Sequence, residues 1–480
     1  MSLDNMSATS RAGSGSHGSA AAQELSIPDL RAAIKGRVIA PGEPGYDESR
    51  TTFYGGFDRH PAVVVRAADA NDVAHVVLLA RETGMELAIR SGGHSSAGHS
   101  VSDGGIVLDL GDMRSLDIDP ERHTAWAEAG LTTGEYTSAA SAYGLATGFG
   151  DTGSVGIGGI TLGGGFGYLA RKYGLTIDDL LAAEIVTADG QILQVDAETY
   201  PDLFWAIRGG GGNFGVVTRF QYRLHDVDTI VGGMLLLPAT PEVISGFVAA
   251  AEAAPDELST IANVMVAPPF PFLPSEYHGQ LIVMAMLVYA GEVEAGQRAI
   301  APFRALTTPL ADMVRSMHYP EIYPHEEGGY HPVGTARTLF VDSFDVQDAK
   351  LAIERLKQST ANMSVVQIRV LGGAMARVPD DATAFGYRQR RIMVNVATLY
   401  SPTDDASVHA AWVKDLSDAL SKGSADAYVN FIGDEGAARV HDAYPQKTWD
   451  RLVAIKTRYD PTNLFHLNQN IPPSNGSAPL

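Results

Sequence analysis

Two glycine-rich segments carry the residue types that could hold an anionic or flat ligand. The first is RSGGHSSAGHS, residues 90–100, between the strand-like segments MELAI and GGIVLDL. Its glycines allow backbone N–H groups to converge into a nest that binds a phosphate without a lysine. The alternative is a loop packed for shape, in which His94 is an ordinary hydrogen-bonded residue.

The second segment is GFGDTGSVGIGGITLGGGFG, residues 148–167. Each glycine costs about 0.5–1 kcal/mol of backbone entropy relative to alanine, so a folded domain keeps glycines where the backbone turns or approaches a ligand. The interleaved Phe149, Val155, Ile157 and Leu162 argue against a solvated linker. The segment therefore predicts a large flat cofactor lying on the backbone.

Three other motifs predict no site. Gly210–Gly215 matches GxGxxG, but we expect a helix before it and a strand after it, the reverse of the dinucleotide fingerprint. Ser154 has Thr152 rather than glycine two residues earlier, so the hydrolase motif GxSxG is absent. We expect no metal, because five potential ligands follow no zinc or iron spacing: His318, His325, Glu326, Glu327 and His331.

The elements that must position these segments form an α+β pattern. From Ile27 to about Leu224, short β-branched runs such as AVVVRA and IVLDL alternate with helical stretches such as DANDVAHVVLLARETG. After Asp226, long apolar strands such as QLIVMAMLVYAG, VVQIRVLGGAMARV and RRIMVNVATLYS predict an antiparallel sheet. A final amphipathic helix from Thr448 should end before Pro461.

Composition narrows the class of partner. The 480 residues carry a formal charge of −21 and are 45% hydrophobic, which is typical of a globular protein and disfavours nucleic acid and anionic membranes. The chain has no cysteine, which excludes disulfides and thiolate chemistry. The longest apolar run is too short to span a membrane. Residues 1–24 lack the features of a secretory signal, so we expect a disordered leader or cloning remnant and a cytoplasmic protein, with secretion left open.

Four motifs in order resemble one family. They are RSGGHSSAGHS, VGIGGITLGGGFGYLARKYGLTIDDLLAAEIVTADG, DLFWAIRGGGGNFGVVT and YDPTNLFHLNQNI. Together they resemble the FAD-linked oxidases of the vanillyl-alcohol-oxidase/p-cresol-methylhydroxylase (PCMH) superfamily, and more narrowly the bacterial berberine-bridge-enzyme-like, 6-hydroxynicotine-oxidase-like proteins. The resemblance implies a PCMH-type FAD-binding domain of two subdomains at 25–225, a substrate domain with an antiparallel sheet and flanking helices at 226–445, and a segment at 446–480 that returns to the flavin.

The resemblance also implies how FAD is held. His94 stands where the family attaches the flavin C8 methyl, and Thr152 stands where many relatives have a second attaching cysteine, so a single covalent link is expected. Val155 aligns with a small apolar position that leaves access for O₂. For the asparagines the alternative is turn and cap chemistry. The cofactor-binding residues implied are Arg90, Ser91, Gly92, Gly93, His94, Ser95, Gly98, His99, Asp151, Thr152, Val155, Gly156, Gly158, Gly159, Leu162, Gly165, Val217, Asn430, Asn468 and Asn470.

The catalytic residues are implied less directly. Plant relatives place a glutamate in a strand corresponding to LGGAMARV, where this chain has Arg377. Tyr428 resembles the family's active-site tyrosine, and a strand AYVNF would place Tyr428 and Asn430 on one face. Because a tyrosine pKa lies near 10, Tyr428 needs a cationic neighbour to act as a base, and Arg377, Arg388 or Arg390 would supply it. The alternative is a tyrosine of the core.

The expected function is an oxidase. Hydride would pass from a C–H bond of an alcohol, sugar or amine to flavin N5, and O₂ would reoxidise the flavin to give H₂O₂. A second possibility is a flavin-retaining binding protein that has lost its base, which Arg377 in place of glutamate suggests, and a third is a dehydrogenase using another acceptor. Small molecules and O₂ are the expected partners, and the oligomeric state stays open.

Overall fold

The protein has the mixed α+β fold predicted, with two subdomains on the N-terminal side. The computed structural model describes residues 25–323 and 329–474, so the predicted leader at 1–24 lies outside the described residues. The N-terminal strands are β1 (Arg37–Ile39), β2 (Val63–Arg66), β3 (Leu87–Arg90), β4 (Ile106–Asp109), β5 (Leu116–Asp119), β6 (Thr124–Glu128), β7 (Leu145–Ala146), β8 (Leu180–Val186), β9 (Ile192–Asp196), β10 (Val216–Arg223) and β11 (His225–Asp226). The helices are α1 (Ile27–Ala33), α2 (Tyr46–Arg50), α3 (Ala70–Thr83), α4 (Thr133–Ser141), α5 (Ile157–Leu162), α6 (Ala170–Tyr173) and α7 (Pro201–Ala206).

The first subdomain is a four-stranded sheet in the order β1-β2-β4-β3. Strands β2, β4 and β3 are parallel, and β1 pairs antiparallel with β2. Helix α3 connects β2 to β3; it begins at the capping side chain of Asp69 and ends at Gly84, which has a φ of 68°. Because β3 ends at the sheet's carboxyl edge, the glycine-rich loop that follows it starts at Ser91, at that edge.

The second subdomain is an antiparallel sheet in the order β5-β6-β10-β8-β9. The second glycine-rich segment lies between β7 and β8, where it forms the short helix α5 and is followed by α6. Both subdomains share one hydrophobic core, which includes Val63, Leu108, Ile185 and Phe220. The two glycine-rich segments are therefore fixed on adjoining parts of one packed unit.

The rest of the chain builds an antiparallel sheet with helices on one face. Its strands are β12 (Thr229–Pro238), β13 (Leu258–Val266), β14 (Leu281–Tyr289), β15 (Ala311–Asp312), β16 (Arg315–His318), β17 (Val333–Val341), β18 (Met363–Val370) and β19 (Ile392–Tyr400). Its helices are α8 (Pro241–Ala253), α9 (Val293–Arg304), α10 (Val346–Gln358), α11 (Ala374–Arg377) and α12 (Ala406–Leu420). The strand order is β15-β12-β14-β13-β18-β19-β17, with β16 beside β12. The predicted domain limits at 225 and 445 stay predictions.

Side-chain alternation separates the two faces of this sheet. Val264, Val366 and Val394 pack under the helices in the second hydrophobic core. Their strand neighbours Asn263 and Gln367 point to the opposite face, and Gln367 lines the cavity described below. The sheet therefore presents polar groups toward the cavity.

The C-terminal segment returns to the first core. Helices α13 (Ala437–His441) and α14 (Gln446–Tyr459) are followed by residues 460–474, here called the strap. Helix α14 ends before Pro461 as predicted. In the strap, Phe465 and Ile471 are buried in the core that also contains strands β2 and β4. The end of the chain thus packs beside the N-terminal glycine-rich loops.

Candidate active site

One large cavity lies between the glycine-rich segments, the strap and the polar face of the sheet formed by β12 to β19. Its volume is about 570 Å³, within the usual range of cofactor and ligand sites. Every residue predicted to bind the cofactor lines this cavity except Arg90, Gly98, Gly165 and Asn470. Most of the predicted cofactor-binding residues therefore meet at one cavity, although the role of each stays a prediction.

The four residues that do not line the cavity make contacts elsewhere or lie outside its wall. The Arg90 guanidinium donates to the Ser49 carbonyl, away from the cavity. Gly98 packs against the Phe57 ring, which a Cβ would meet at 2.5 Å. The Gly165 N–H donates to the hydroxyl of Tyr428, so this glycine contacts a residue of the cavity wall without lining the cavity itself. Asn470 lies in the strap outside the cavity wall.

Glycine is required where the two predicted segments touch. A Cβ on Gly92 would meet the Gly156 nitrogen at 2.2 Å, so the two backbones are in direct contact. At Gly159 an added Cβ would meet nothing within 4 Å among the described residues, so its backbone faces the cavity. This arrangement puts bare backbone along the cavity wall, as the glycine density predicted.

His94 is held on the cavity wall by two different elements. Its Nε2 lies 3.0 Å from the Ser154 hydroxyl oxygen. Its ring stacks on Phe53, with centroids 4.0 Å apart and an interplanar angle of 17°. The imidazole therefore has a defined orientation at the place where the resemblance implies attachment.

The GxGxxG segment has the predicted inverted order but belongs to the cavity. Helix α7 precedes it and β10 follows it, so it is not a dinucleotide fingerprint. However, Gly211, Gly212 and Gly215 line the cavity, which the sequence reasoning missed. The neighbouring Asn213 binds the strap, because its side chain donates to the Gln469 carbonyl at 3.0 Å and accepts from the Ile471 N–H at 2.9 Å.

Tyr428 and Asn430 come together, although not through a strand. Residues Val429–Phe431 form a 3₁₀ turn, and the Asn430 amide donates to the Tyr428 hydroxyl at 2.9 Å. The Gly165 N–H donates to the same hydroxyl at 2.9 Å. Burial raises the pKa of Tyr428 to about 12. Tyr428 is therefore protonated at neutral pH and can act as a hydrogen-bond donor rather than as a base.

The arginines expected beside Tyr428 lie elsewhere. Arg377 is in α11, its side chain is 64% exposed, and it pairs with Asp256 at 2.6 Å. The expected position was wrong because β18 ends at Val370, after which the chain turns and places Arg377 on the surface. Arg388 is fully buried against Asp178. Arg390 pairs with two other carboxylates, those of Asp342 and Asp426.

A different arginine faces the cavity. Arg369 on β18 is buried and pairs with Asp151 at 2.5 Å. Its Nε donates to the Gln367 side-chain oxygen at 2.9 Å, and the Gln367 amide donates to Asn263 at 2.9 Å. The guanidinium also lies 5.4 Å from the centre of the Phe431 ring. The sequence did carry a signal for this face, because Gln367 and Arg369 alternate with apolar residues in VVQIRV.

Among the described residues of the cavity wall, Asp151 carries the one carboxylate. Thr152 donates to its other oxygen at 3.2 Å. Burial and the negative charge of Asp151 raise the pKa of Tyr54. Burial lowers the pKa of His99 to about 4, so this imidazole is neutral at neutral pH. Asp151 is therefore the carboxylate that a cavity ligand would meet.

The histidines weighed as metal ligands are separated. His318 lies 3.1 Å from Asp228, whereas the ring of His331 contacts the Thr52 carbonyl at 2.8 Å. His325, Glu326 and Glu327 lie outside the described residues. Over residues 25–323 and 329–474, no group of three potential ligands could hold a metal ion. In the same ranges, no helix combines the length and apolar character needed to cross a bilayer.

The cavity wall fits FAD. The Ser100 hydroxyl and the Asn468 side-chain oxygen are buried without a hydrogen-bond partner among the described residues, and both residues line the cavity. Buried polar atoms are nearly always paired in folded proteins, so these two suit a ligand rich in hydroxyl and phosphate groups. The bare backbone at Gly159 and Gly212 allows such a ligand to approach closely.

Comparison with known proteins agrees with this geometry. Residues 61–196 match the FAD binding domain family, and residues 427–472 match the family described as berberine and berberine like. The chain is 30% identical over 453 residues to the FAD-linked oxidoreductase YvdP of Bacillus subtilis, covering 92% of this chain and 99% of that protein. It is 28% identical to (R)-6-hydroxynicotine oxidase of Paenarthrobacter nicotinovorans, with 92% and 97% covered.

Two further matches extend the comparison. The crystal structure of 6-hydroxy-D-nicotine oxidase from Arthrobacter nicotinovorans superposes with a TM-score of 0.83 at 27% identity, covering 93% of this chain and 99% of that one. Xylooligosaccharide oxidase of Thermothelomyces thermophilus is 28% identical, with 86% and 88% covered. The matched residues include both glycine-rich segments, the polar sheet and the strap. The chain is therefore an FAD-dependent oxidoreductase and belongs to the berberine-bridge-enzyme-like family of FAD-linked oxidoreductases.

Proposed function

We propose that this protein is an oxidase that holds FAD through a single covalent bond to His94 and uses O₂ as electron acceptor to form H₂O₂. The observation that carries the proposal is the oriented imidazole of His94 on a glycine-lined cavity. Relatives named as oxidases of 6-hydroxynicotine and of xylooligosaccharides support O₂ as the acceptor. The chain has no cysteine, and threonine at position 152 has no thiol with which to form a second link to the flavin.

When bound, FAD supplies the two-electron acceptor for hydride from a substrate C–H bond. The chain's own residues must then bind the substrate and accept its proton. We assign that proton to Asp151, because it is the carboxylate of the described cavity wall. Arg369 holds one carboxylate oxygen at 2.5 Å, and the Thr152 hydroxyl donates to the other at 3.2 Å. A substrate proton would be accepted by this second oxygen.

The remaining groups of the wall bind and orient. Tyr428 keeps its proton and donates a hydrogen bond into the cavity. The aromatic rings of Phe53, Tyr54 and Phe431 and the amides of Gln367 and Asn395 line the same space. This mixture suits a ring-containing substrate with hydroxyl or amine groups, and it leaves alcohols, sugars and amines as the candidate classes.

Two other functions receive less support. A binding protein without turnover was suggested by Arg377 in place of a glutamate, but Arg377 lies on the surface and Asp151 supplies a carboxylate. A dehydrogenase with another acceptor would require restricted access for O₂. Val155, a small residue on the cavity wall, favours the oxidase.

The test combines flavin retention with peroxide release. Acid precipitation of the purified protein should leave flavin in the pellet, whereas His94→Ala should release it to the supernatant. A panel of sugars, secondary alcohols and cyclic amines should then be screened in air for H₂O₂ and without O₂ for flavin bleaching. Bleaching without peroxide in air would establish the dehydrogenase, and the absence of bleaching by every compound would favour the binding protein.

A further inference from the structure

The loop that carries Ser154 is fastened to the start of a helix. The Thr133 N–H donates to the Val155 carbonyl at 2.8 Å, and the Gly134 N–H donates to the Gly153 carbonyl at 2.8 Å. The Thr133 hydroxyl donates to the Thr152 carbonyl at 2.6 Å. The carbonyls of Thr152, Gly153 and Val155 therefore all accept hydrogen bonds from the first residues of α4, which fixes the loop backbone on both sides of Ser154.

The imidazole of His94 meets this fixed hydroxyl at its edge. Nε2 lies 3.0 Å from the Ser154 Oγ, and the Phe53 ring covers one face of the imidazole at 4.0 Å. Phe53 is itself held by a hydrogen bond from its N–H to the Gly93 carbonyl at 3.1 Å. Rotation of the ring would break the hydrogen bond with Ser154 and the stack with Phe53.

We propose that Ser154 is a positioning residue for covalent flavin attachment. Its hydroxyl forms a hydrogen bond with Nε2 of His94 at 3.0 Å and so holds the imidazole in one orientation on the cavity wall. A ring nitrogen must direct its lone pair at carbon to form a bond to it, so the orientation of the imidazole governs the rate of attachment. The inference rests on the tether proposed above and adds a residue that sets how fast the tether forms.

Covalent attachment releases two electrons and two protons, which O₂ accepts. A bond forms between a His94 ring nitrogen and the flavin C8 methyl carbon, one methyl C–H bond breaks, and the imidazole loses its N–H proton. The two electrons of the broken C–H bond stay on the flavin together with the protons released. O₂ then removes the two electrons and two protons as H₂O₂, so each attachment consumes one O₂. The hydroxyl of Ser154 is neither consumed nor modified.

The absence of cysteine increases the importance of this contact. The chain has no cysteine that could form a second link to the flavin. Retention of a covalently bound cofactor therefore depends on one reaction at one imidazole. A change in the orientation of His94 should appear directly in the rate of attachment, with no parallel link to mask it.

The experiment measures attachment rather than turnover. Flavin-free protein with Ser154 unchanged, with Ser154→Ala and with Ser154→Thr is mixed with FAD in air, and samples are precipitated with acid at intervals. The flavin fluorescence of the washed pellet gives the covalent fraction. We expect attachment to be roughly three- to tenfold slower for Ser154→Ala, the range that corresponds to one lost neutral hydrogen bond, and largely restored for Ser154→Thr.

Binding of FAD before attachment is measured separately by fluorescence quenching and should be alike in all three proteins. Equal attachment rates for Ser154→Ala and the unchanged protein would overturn the proposal. Equal slowing by alanine and threonine would also overturn it, because the effect would then come from loop packing. No pellet flavin in any of the three proteins would refute the tether itself, and the role of Ser154 with it.

Discussion

Replacement of Lys456 by methionine should weaken the fixation of the strap. Both Lys456 and Asp460 have fully buried side chains, and the ammonium lies 2.7 Å from the carboxylate. The same ammonium donates to the Asn213 carbonyl at 2.8 Å and the Phe465 carbonyl at 2.9 Å. One side chain thus joins α14, the strap and the GxGxxG segment. Methionine keeps most of the volume and removes the charge and all three hydrogen bonds.

The magnitude follows from burial. Removing one partner of a buried ion pair costs about 3–5 kcal/mol, because the remaining charge is left without compensation. The chain offers a matched control in Lys414 and Asp418, which have the same spacing of four residues and a distance of 2.5 Å but side-chain exposures of 64% and 49%. An exposed pair of this kind contributes about 0.3–0.5 kcal/mol. Lys456→Met should therefore cost several times more than Lys414→Met.

The assay follows urea unfolding by circular dichroism, with flavin fluorescence as a second probe. For Lys456→Met we expect a lower unfolding midpoint and flavin fluorescence that rises before the loss of helix, because Phe465 and Asn468 of the strap line the cavity. Lys414→Met should shift neither signal appreciably. A midpoint for Lys456→Met equal to that of the control would refute the view that this buried pair fixes the strap.

Three further outcomes are expected. Asp151→Asn should slow flavin reduction about 10²- to 10⁴-fold at unchanged FAD content, whereas Asp256→Asn, on the surface, should not; equal rates would remove Asp151 as the base. Tyr428→Phe should lower the free energy of unfolding by about 1–3 kcal/mol, because two buried N–H donors lose their acceptor; denaturant unfolding measures this. The same change should slow flavin reduction in stopped-flow traces while FAD is retained. His99 has a folded-state pKa of about 4, which lies below its unfolded value. The unfolded chain therefore binds more protons, and the free energy of unfolding falls as pH drops from about 6.5 to 4. His99→Asn should reduce that fall in melting temperatures measured across this pH range, and an unchanged pH dependence would contradict the prediction.

Local signals in the sequence located one half of the site. The loop at 90–100 and the segment at 148–167 were predicted because close backbone contacts, such as that of Gly92 with Gly156, require glycine. The resulting high glycine content can be seen in the sequence. The α+β pattern and the polar face of the sheet formed by β12 to β19 were also predictable, because the alternation of polar and apolar side chains within a strand is a property of neighbouring residues. These features leave their signal within short stretches of sequence.

The other half depends on contacts between distant residues. Asp151 and Arg369 are 218 positions apart, and neither their neighbours nor their spacing indicates that they pair. Arg377 was misplaced because the strand-like run continues in the sequence through LGGAMARV, whereas Gly372 and Gly373, with φ of 103° and 61°, turn the chain after β18. Tertiary packing decided the first case, and a local turn at two glycines decided the second.

The hydrogen bonds between Asn213 and the strap have a consequence for biosynthesis. The side chain of Asn213 binds the carbonyl of a residue that lies 256 positions later. At roughly 5–20 residues per second, the ribosome adds that partner about 10–50 s after Asn213. The nascent chain therefore cannot complete its flavin pocket until the strap has been synthesised, and stable loading of the prosthetic group must await that point.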